Sequence, residues 1–144
     1  MWTIGHGAGS FTDLEHRIAP FGISVVVDVR SEPYSQHAPD FTKRRLELLC
    51  EEAGIGYRWL GATLGGKSDT GPVGPERPGF DDSIHDLSKL ADTAPTVILC
   101  AELEPGTCHR STVVGAALHD RGTEVIHILG DGSNRPHQPT LPFS

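Results

Sequence analysis

Cysteine, histidine, arginine and serine crowd one short stretch of the chain: Cys100 and Glu102, then Cys108, His109, Arg110 and Ser111. Cys100 closes an apolar run (Thr96 to Cys100, TVILC) and Ser111 opens a segment with helical spacing, so what lies between reads as a strand-to-helix loop. A helix N-terminus presents free N–H donors and the positive end of a dipole, which lowers a thiol pKa and attracts anions. Arg110 adds a planar, permanently charged fork suited to phosphate, sulfate or carboxylate. These groups suit a hydrolase or transferase for a small anionic substrate. Cys100 or Cys108 would supply a thiolate, Arg110 would hold the anion, and His6 or Glu102 would move protons.

Other notable residues stand at the ends of apolar runs. His6 lies between Gly5 and Gly7, and glycines on both sides let backbone or ligand approach closely. Asp28-Val29-Arg30-Ser31 follows a β-branched run and reads either as part of a site, with Asp28 as a catalytic carboxylate and Arg30, Ser31 and Ser35 touching substrate, or as a structural ion pair between loops. Gly65-Gly66 forms another candidate binding loop. Cys100 itself is read two ways, as nucleophile or as core at a strand end. Cys50 sits mid-helix beside Leu46 and Leu49 and is left out of the site, His127 alternates within a strand and reads as a core or surface histidine, and His137 is open. A second reading of the same cluster is a zinc or iron site using Cys100, Cys108 and His109, with His6 and Glu102 as further candidates.

To converge, these residues need a scaffold. Trp2-Thr3-Ile4, Ile23 to Val29, Gly56 to Leu60, Thr96 to Cys100 and Glu124 to Leu129 read as strands. Between them, apolar residues recur at helical intervals: Phe11 to Phe21 (with Ser10 and Thr12 as candidate caps), Phe41 to Ala53, Asp81 to Ala91 and Ser111 to Arg121. Strands alternating with helices predict a single α/β domain over residues 1–144, a three-layer α/β/α sandwich with a mostly parallel, Rossmann-like sheet of about five strands. In such sheets ligands bind beyond the carboxyl ends of the strands, so all five following loops would open on one edge. Residues 66 to 80, rich in Gly, Pro and charge, read as one long irregular connection, and the tail, Gly130 to Ser144, is Gly/Pro-rich with Arg135, Pro136 and His137.

Bulk properties narrow the function classes. A formal charge of −7 weighs against broad contact with nucleic acid, which depends on Lys and Arg neutralising phosphates. A nucleotide or nucleic-acid binding module using Arg30, Lys43, Arg44 and Arg45 is therefore the third reading. No apolar run approaches the roughly 20 residues that span a bilayer, and no basic-then-apolar leader opens the sequence, so neither export nor membrane insertion is expected. Three cysteines in such a chain read as thiols in the cytoplasm.

The order Asp28-Val29-Arg30, then a strand ending in Cys100, a loop, Arg110-Ser111 and a helix, is similar to the rhodanese and Cys-dependent phosphatase arrangement. Those families separate Cys from Arg by four or five residues. Here nine separate Cys100 from Arg110 and one separates Cys108 from it. A wider set of motifs, Thr3-Ile4-Gly5-His6, Val27 to Ser31 with Pro33 and Ser35, Leu64-Gly65-Gly66, Leu99 to Glu102 and Cys108-His109-Arg110, resembles the bacterial and archaeal family called "domain of unknown function 488". Gly7 stands where that family commonly has serine, and the stretch between Gly66 and Phe80 is shortened. The resemblance implies a fold and a site region, and carries no general reaction.

Overall fold

The computed structural model describes residues 1–67, 72–105 and 110–138, with backbone alone at 110–112. Among these residues the strands are β1 (Trp2–Gly5), β2 (Val25–Asp28), β3 (Gly56–Trp59), β4 (Thr96–Cys100), β5 (Ile126–Ile128) and β6 (Asn134–Pro136). They form one sheet in the order β3-β2-β4-β1-β5-β6. Every pairing is parallel except that of β6 with β5. The helices are α1 (Phe11–Ile18), α2 (Lys43–Glu52), α3 (Gly61–Leu64), α4 (Phe80–Thr93) and α5 (Ala116–Asp120), the last preceded by a π-helical turn over Arg110–Gly115. No described helix is long and apolar enough to cross a membrane.

The β-branched run around β2 is buried on both faces, which is why it shows no polar alternation. Val26 joins Ile4, Val97, Leu99 and Ile128 beneath α1 (Phe11, Leu14, Ile18) and α2 (Leu46, Cys50). Val27 and Ile98 face the opposite layer, where Phe80, Ile84 and Leu87 of α4 pack with Leu118 of α5. Two cores back to back make the expected three-layer α/β domain. Ser10 caps α1 by accepting the Asp13 amide at 3.2 Å, so of the two candidate caps it is the one used.

Three local expectations change. The sheet has six strands rather than about five, because Asn134–Pro136, read as tail, turns back at Gly132 (φ 88°) and pairs antiparallel with β5. A strand of three residues carrying a proline gives almost no periodic signal. Gly61–Leu64, expected to run from a strand directly into a glycine loop, forms the single helical turn α3. The helix expected from Ser111 starts with a π-helical turn, an insertion that hydrophobic spacing does not distinguish from α-helix.

The chain order sets where a site can form. From β2 the chain moves outward to β3, whereas from β4 it moves the other way, past β1, to β5. The carboxyl ends of β2 and β4 therefore flank a topological switch point, where connections part and leave a crevice. Val29 N donates to Leu99 O across it at 3.1 Å, and on the far side of β4 the His6 amide donates to Cys100 O at 3.0 Å.

A candidate site at the carboxyl edge of the sheet

Asp28 ends β2 fully buried, and its carboxylate is saturated with donors. Arg30 N and Nε donate to Oδ1 at 3.1 and 2.8 Å, while Arg30 Nη2 and Tyr57 Oη donate to Oδ2 at 2.7 and 2.6 Å. The paired guanidinium bonds form the bidentate fork that gives Arg–carboxylate contacts their fixed geometry. Asp28 thus folds Arg30 back over the end of its own strand. The Trp59 indole donates to the Arg30 carbonyl at 2.7 Å and holds the backbone there. Burial of Tyr57, with Asp28 beside its hydroxyl, pushes the phenol pKa up, so it remains a donor at neutral pH.

His6 meets the exposed end of that fork. Its Nδ1 lies 2.6 Å from Gly7 O, a pure acceptor, so Nδ1 carries the proton. Its Nε2 lies 3.3 Å from Arg30 Nη1, a pure donor, so Nε2 keeps its lone pair. The ring stacks on Phe41 with centroids 4.4 Å apart and planes at 7°. Burial is the main reason the imidazole pKa falls to about 4, and the positive charges of Arg30 and Arg17 push in the same direction. His6 is therefore neutral at pH 7, in one defined tautomer.

Arg17, on the buried stripe of α1, completes the arrangement. Its Nη2 donates to Gly5 O at 2.9 Å and Nη1 reaches Leu129 O at 3.5 Å, tying together the ends of β1 and β5 beside His6. Asp13, one turn earlier, lies 3.3 Å from Nε. The sequence reading omitted Arg17, Tyr57, Trp59 and Phe41. An arginine beside Ile18 on an apolar stripe is the signal for the first, and the alternation Tyr57-Arg58-Trp59, which puts both aromatics on one face, is the signal for the next two.

The remaining expected residues divide. Ser31 Oγ accepts the Lys67 amide at 3.1 Å, joining the β2 loop to the Gly65-Gly66 loop. Gly65 is buried against Ser31, and a Cβ there would overlap the serine hydroxyl, while one at Gly61 would overlap the Arg30 carbonyl. Those glycines let α3 lie directly on the backbone of Arg30 and Ser31. Gly66 is exposed. Ser35 is occupied locally, accepting the Ala38 amide at 3.0 Å. Glu102 is exposed after β4, with its carbonyl 3.6 Å from Cys100 Sγ. Gly7 has a left-handed φ of 56°, and a Cβ there would come within 2.7 Å of Leu103, so this position takes glycine rather than serine.

Cysteine chemistry needs one correction. Cys100 is disulfide-bonded, so the expectation of three thiols fails at this position and Cys100 is not a thiolate in this state. Cys50 is a free thiol buried in the core, as expected, and burial pushes its pKa up to about 12. Cys108 and His109 lie outside the described residues. Arg110 and Ser111 open the π-helical turn after β4, and their side chains also lie outside what is described. Away from this edge, His127 is buried on β5, with Nδ1 2.6 Å from Thr3 Oγ1 and Nε2 3.1 Å from His137 Nδ1. That pairing fastens the segment after β6 to the sheet and takes both histidines out of the site.

Residues 13–117 match the family model described as "Domain of unknown function DUF488". The chain belongs to this family. The matched span of the DUF488 protein contains Asp28, Arg30, Tyr57 and Cys100 through Ser111, while β1 with His6 precedes it and β5 follows it. No curated protein and no solved structure matches the chain.

Proposed function

We propose that this DUF488 protein is an enzyme acting on a small anionic substrate, a phosphate-, sulfur- or carboxylate-bearing molecule, with Arg30 holding the anion and His6 carrying a proton. One observation supports this above the others. The described bonds engage three of the five guanidinium N–H groups of the nearly buried Arg30, two on Asp28 and one on His6, leaving one N–H each on Nη1 and Nη2 beside the basic nitrogen of a neutral histidine. An anion seated on those two donors would offset the guanidinium charge. That charge helps to depress the His6 pKa, so binding raises it toward neutrality, where a general base is most effective. Substrate would in this way switch on its own proton acceptor: as the anion engages the guanidinium, Arg30 Nη1 would release the Nε2 lone pair, and His6 Nε2 would take the proton of the attacking hydroxyl, water or thiol and direct it at the anion.

In the cytoplasm, where thiols are kept reduced, the Cys100 disulfide would open, with its sulfur one strand from Arg30 and its carbonyl accepting the His6 amide. A thiolate step there follows reduction of the disulfide, whereas the Arg30–His6 pair needs no such activation. A metal cation at His6 Nε2 would face the guanidinium, so this arrangement disfavours zinc or iron at that nitrogen, while the anion sits on the guanidinium beside it.

The test is a histidine-selective NMR titration of the protein, with and without saturating inorganic phosphate or sulfate. The His6 pKa is expected to rise by at least one unit with the anion, and Arg30→Gln should abolish the response. A His6 pKa indifferent to both anions, with the fold intact, would refute Arg30 as the anion holder.

A further inference from the structure

The outer edge of the sheet presents a second surface, independent of the anion reading. β3 pairs only with β2 among the described residues. The amides of Gly56 and Leu60 donate inward to Ser24 O and Asp28 O, so by the alternation of a parallel ladder the N–H and C=O of Tyr57 and Trp59 face outward. Unpaired edges of this kind are templates for a further strand. Beside the edge, on the α2 face, lies an open cleft of about 380 Å³ lined by Glu47, Glu51, Ile55, Tyr57 and Trp59.

We infer that this edge and cleft form a docking surface for an extended polypeptide segment of a partner protein, added as a seventh strand beside β3 with Lys or Arg side chains directed into the cleft. Charge complementarity selects the occupant. Glu47 and Glu51 stand one turn apart on α2 above two aromatic side chains, and a cationic side chain entering between them gains carboxylate and cation–π contacts together. Glu51 has no ion-pair partner among the described residues. Glu47 pairs with Lys43, but both are exposed and such pairs exchange at small cost. Arg58 is exposed and alternates to the opposite face, so a partner strand needs its basic residues on one face only. Main-chain bonds to Tyr57 and Trp59 supply affinity and the cleft supplies specificity, as in strand-addition complexes. The surface is wired to the site, because the same two side chains bond Asp28 and the Arg30 carbonyl.

The test uses a capped heptapeptide of alternating lysine and threonine, its glutamate–threonine counterpart, and lysine amide alone, each titrated into the amide-labelled protein. The lysine peptide is expected to shift the Tyr57 and Trp59 backbone amides, and the glutamate peptide to leave them unmoved. Glu47→Gln with Glu51→Gln, on an exposed helix face with folding checked by circular dichroism, should weaken binding about fivefold. Three results overturn the proposal: no shifts at β3, full affinity in the double variant, or equal binding by lysine amide, which would mean a pocket for a small cation and not for a strand.

Discussion

Replacing Asp28 with Asn isolates what the buried carboxylate contributes. Asn keeps the shape and can still accept from Arg30 N and Nε through its oxygen. Its amide nitrogen, however, would sit where Oδ2 now accepts from Arg30 Nη2 and Tyr57 Oη. The phenol can reverse its hydroxyl and accept, but the guanidinium cannot, so one donor faces another and a buried cation loses its counter-charge. Breaking a buried pair from one side costs about 4 kcal/mol, a large part of the roughly 5–15 kcal/mol that holds a domain together. At this size the melting temperature should fall by about 12 °C. Tyr57→Phe removes a single bond to the same carboxylate and should cost about 2 kcal/mol. Because both changes act on Oδ2, the double variant should be less destabilised than the sum of the singles. Urea unfolding at pH 7, followed by Trp fluorescence, measures all three. A Asp28→Asn loss below about 1 kcal/mol, or strict additivity with Tyr57→Phe, would refute the reading of Asp28 as the charge that holds Arg30 in place.

Stability should also depend on pH through His6. Its folded pKa of about 4 lies below the ordinary 6.5, so between these values the unfolded chain binds the extra proton. The contribution is complete above pH 6.5 and falls away by about 3 kcal/mol as pH drops to 4; His6→Gln should flatten that part of the unfolding profile. Arg30→Gln removes a nearby positive charge and should raise the His6 pKa, whereas Asp28→Asn should lower it further, as read by imidazole NMR shifts. Gly61→Ala forces a methyl into the Arg30 carbonyl and should cost about 3 kcal/mol in chemical denaturation, against about 1 kcal/mol for Gly22→Ala, where only the left-handed backbone matters. Cys50, buried and with its thiol pKa near 12, should escape alkylation by iodoacetamide at pH 8 until denaturant is added, as peptide mass mapping would show.

Much of this architecture is legible in the chain because burial writes periodic patterns. The both-faces-buried strands β2 and β4 show as continuous apolar runs, and α1, α2 and α4 as stripes at helical spacing. The alternation of the two predicts a parallel sheet whose loops share an edge, which was enough to nominate His6, Asp28, Arg30 and Gly65 as neighbours. What linear order does not encode is which strands become adjacent. The placement of β4 between β1 and β2 brings His6 and Arg30 to either side of one strand end, and β3 on the outer edge carries Tyr57 to Asp28 across 29 residues. The alternation Tyr57-Arg58-Trp59 shows that both aromatics share a face but not what they support, because their partners are set by sheet register. Arg17 likewise shows in the sequence as a charge on an apolar stripe, but its partners are set only when α1 packs on β1 and β5 and brings strand-end carbonyls to its guanidinium. The sequence determined the residue types, the two buried faces and the edge on which chemistry could occur. Only the tertiary structure decided that Asp28 locks Arg30 against a neutral His6, because a buried charge takes whichever partner the packing brings within reach.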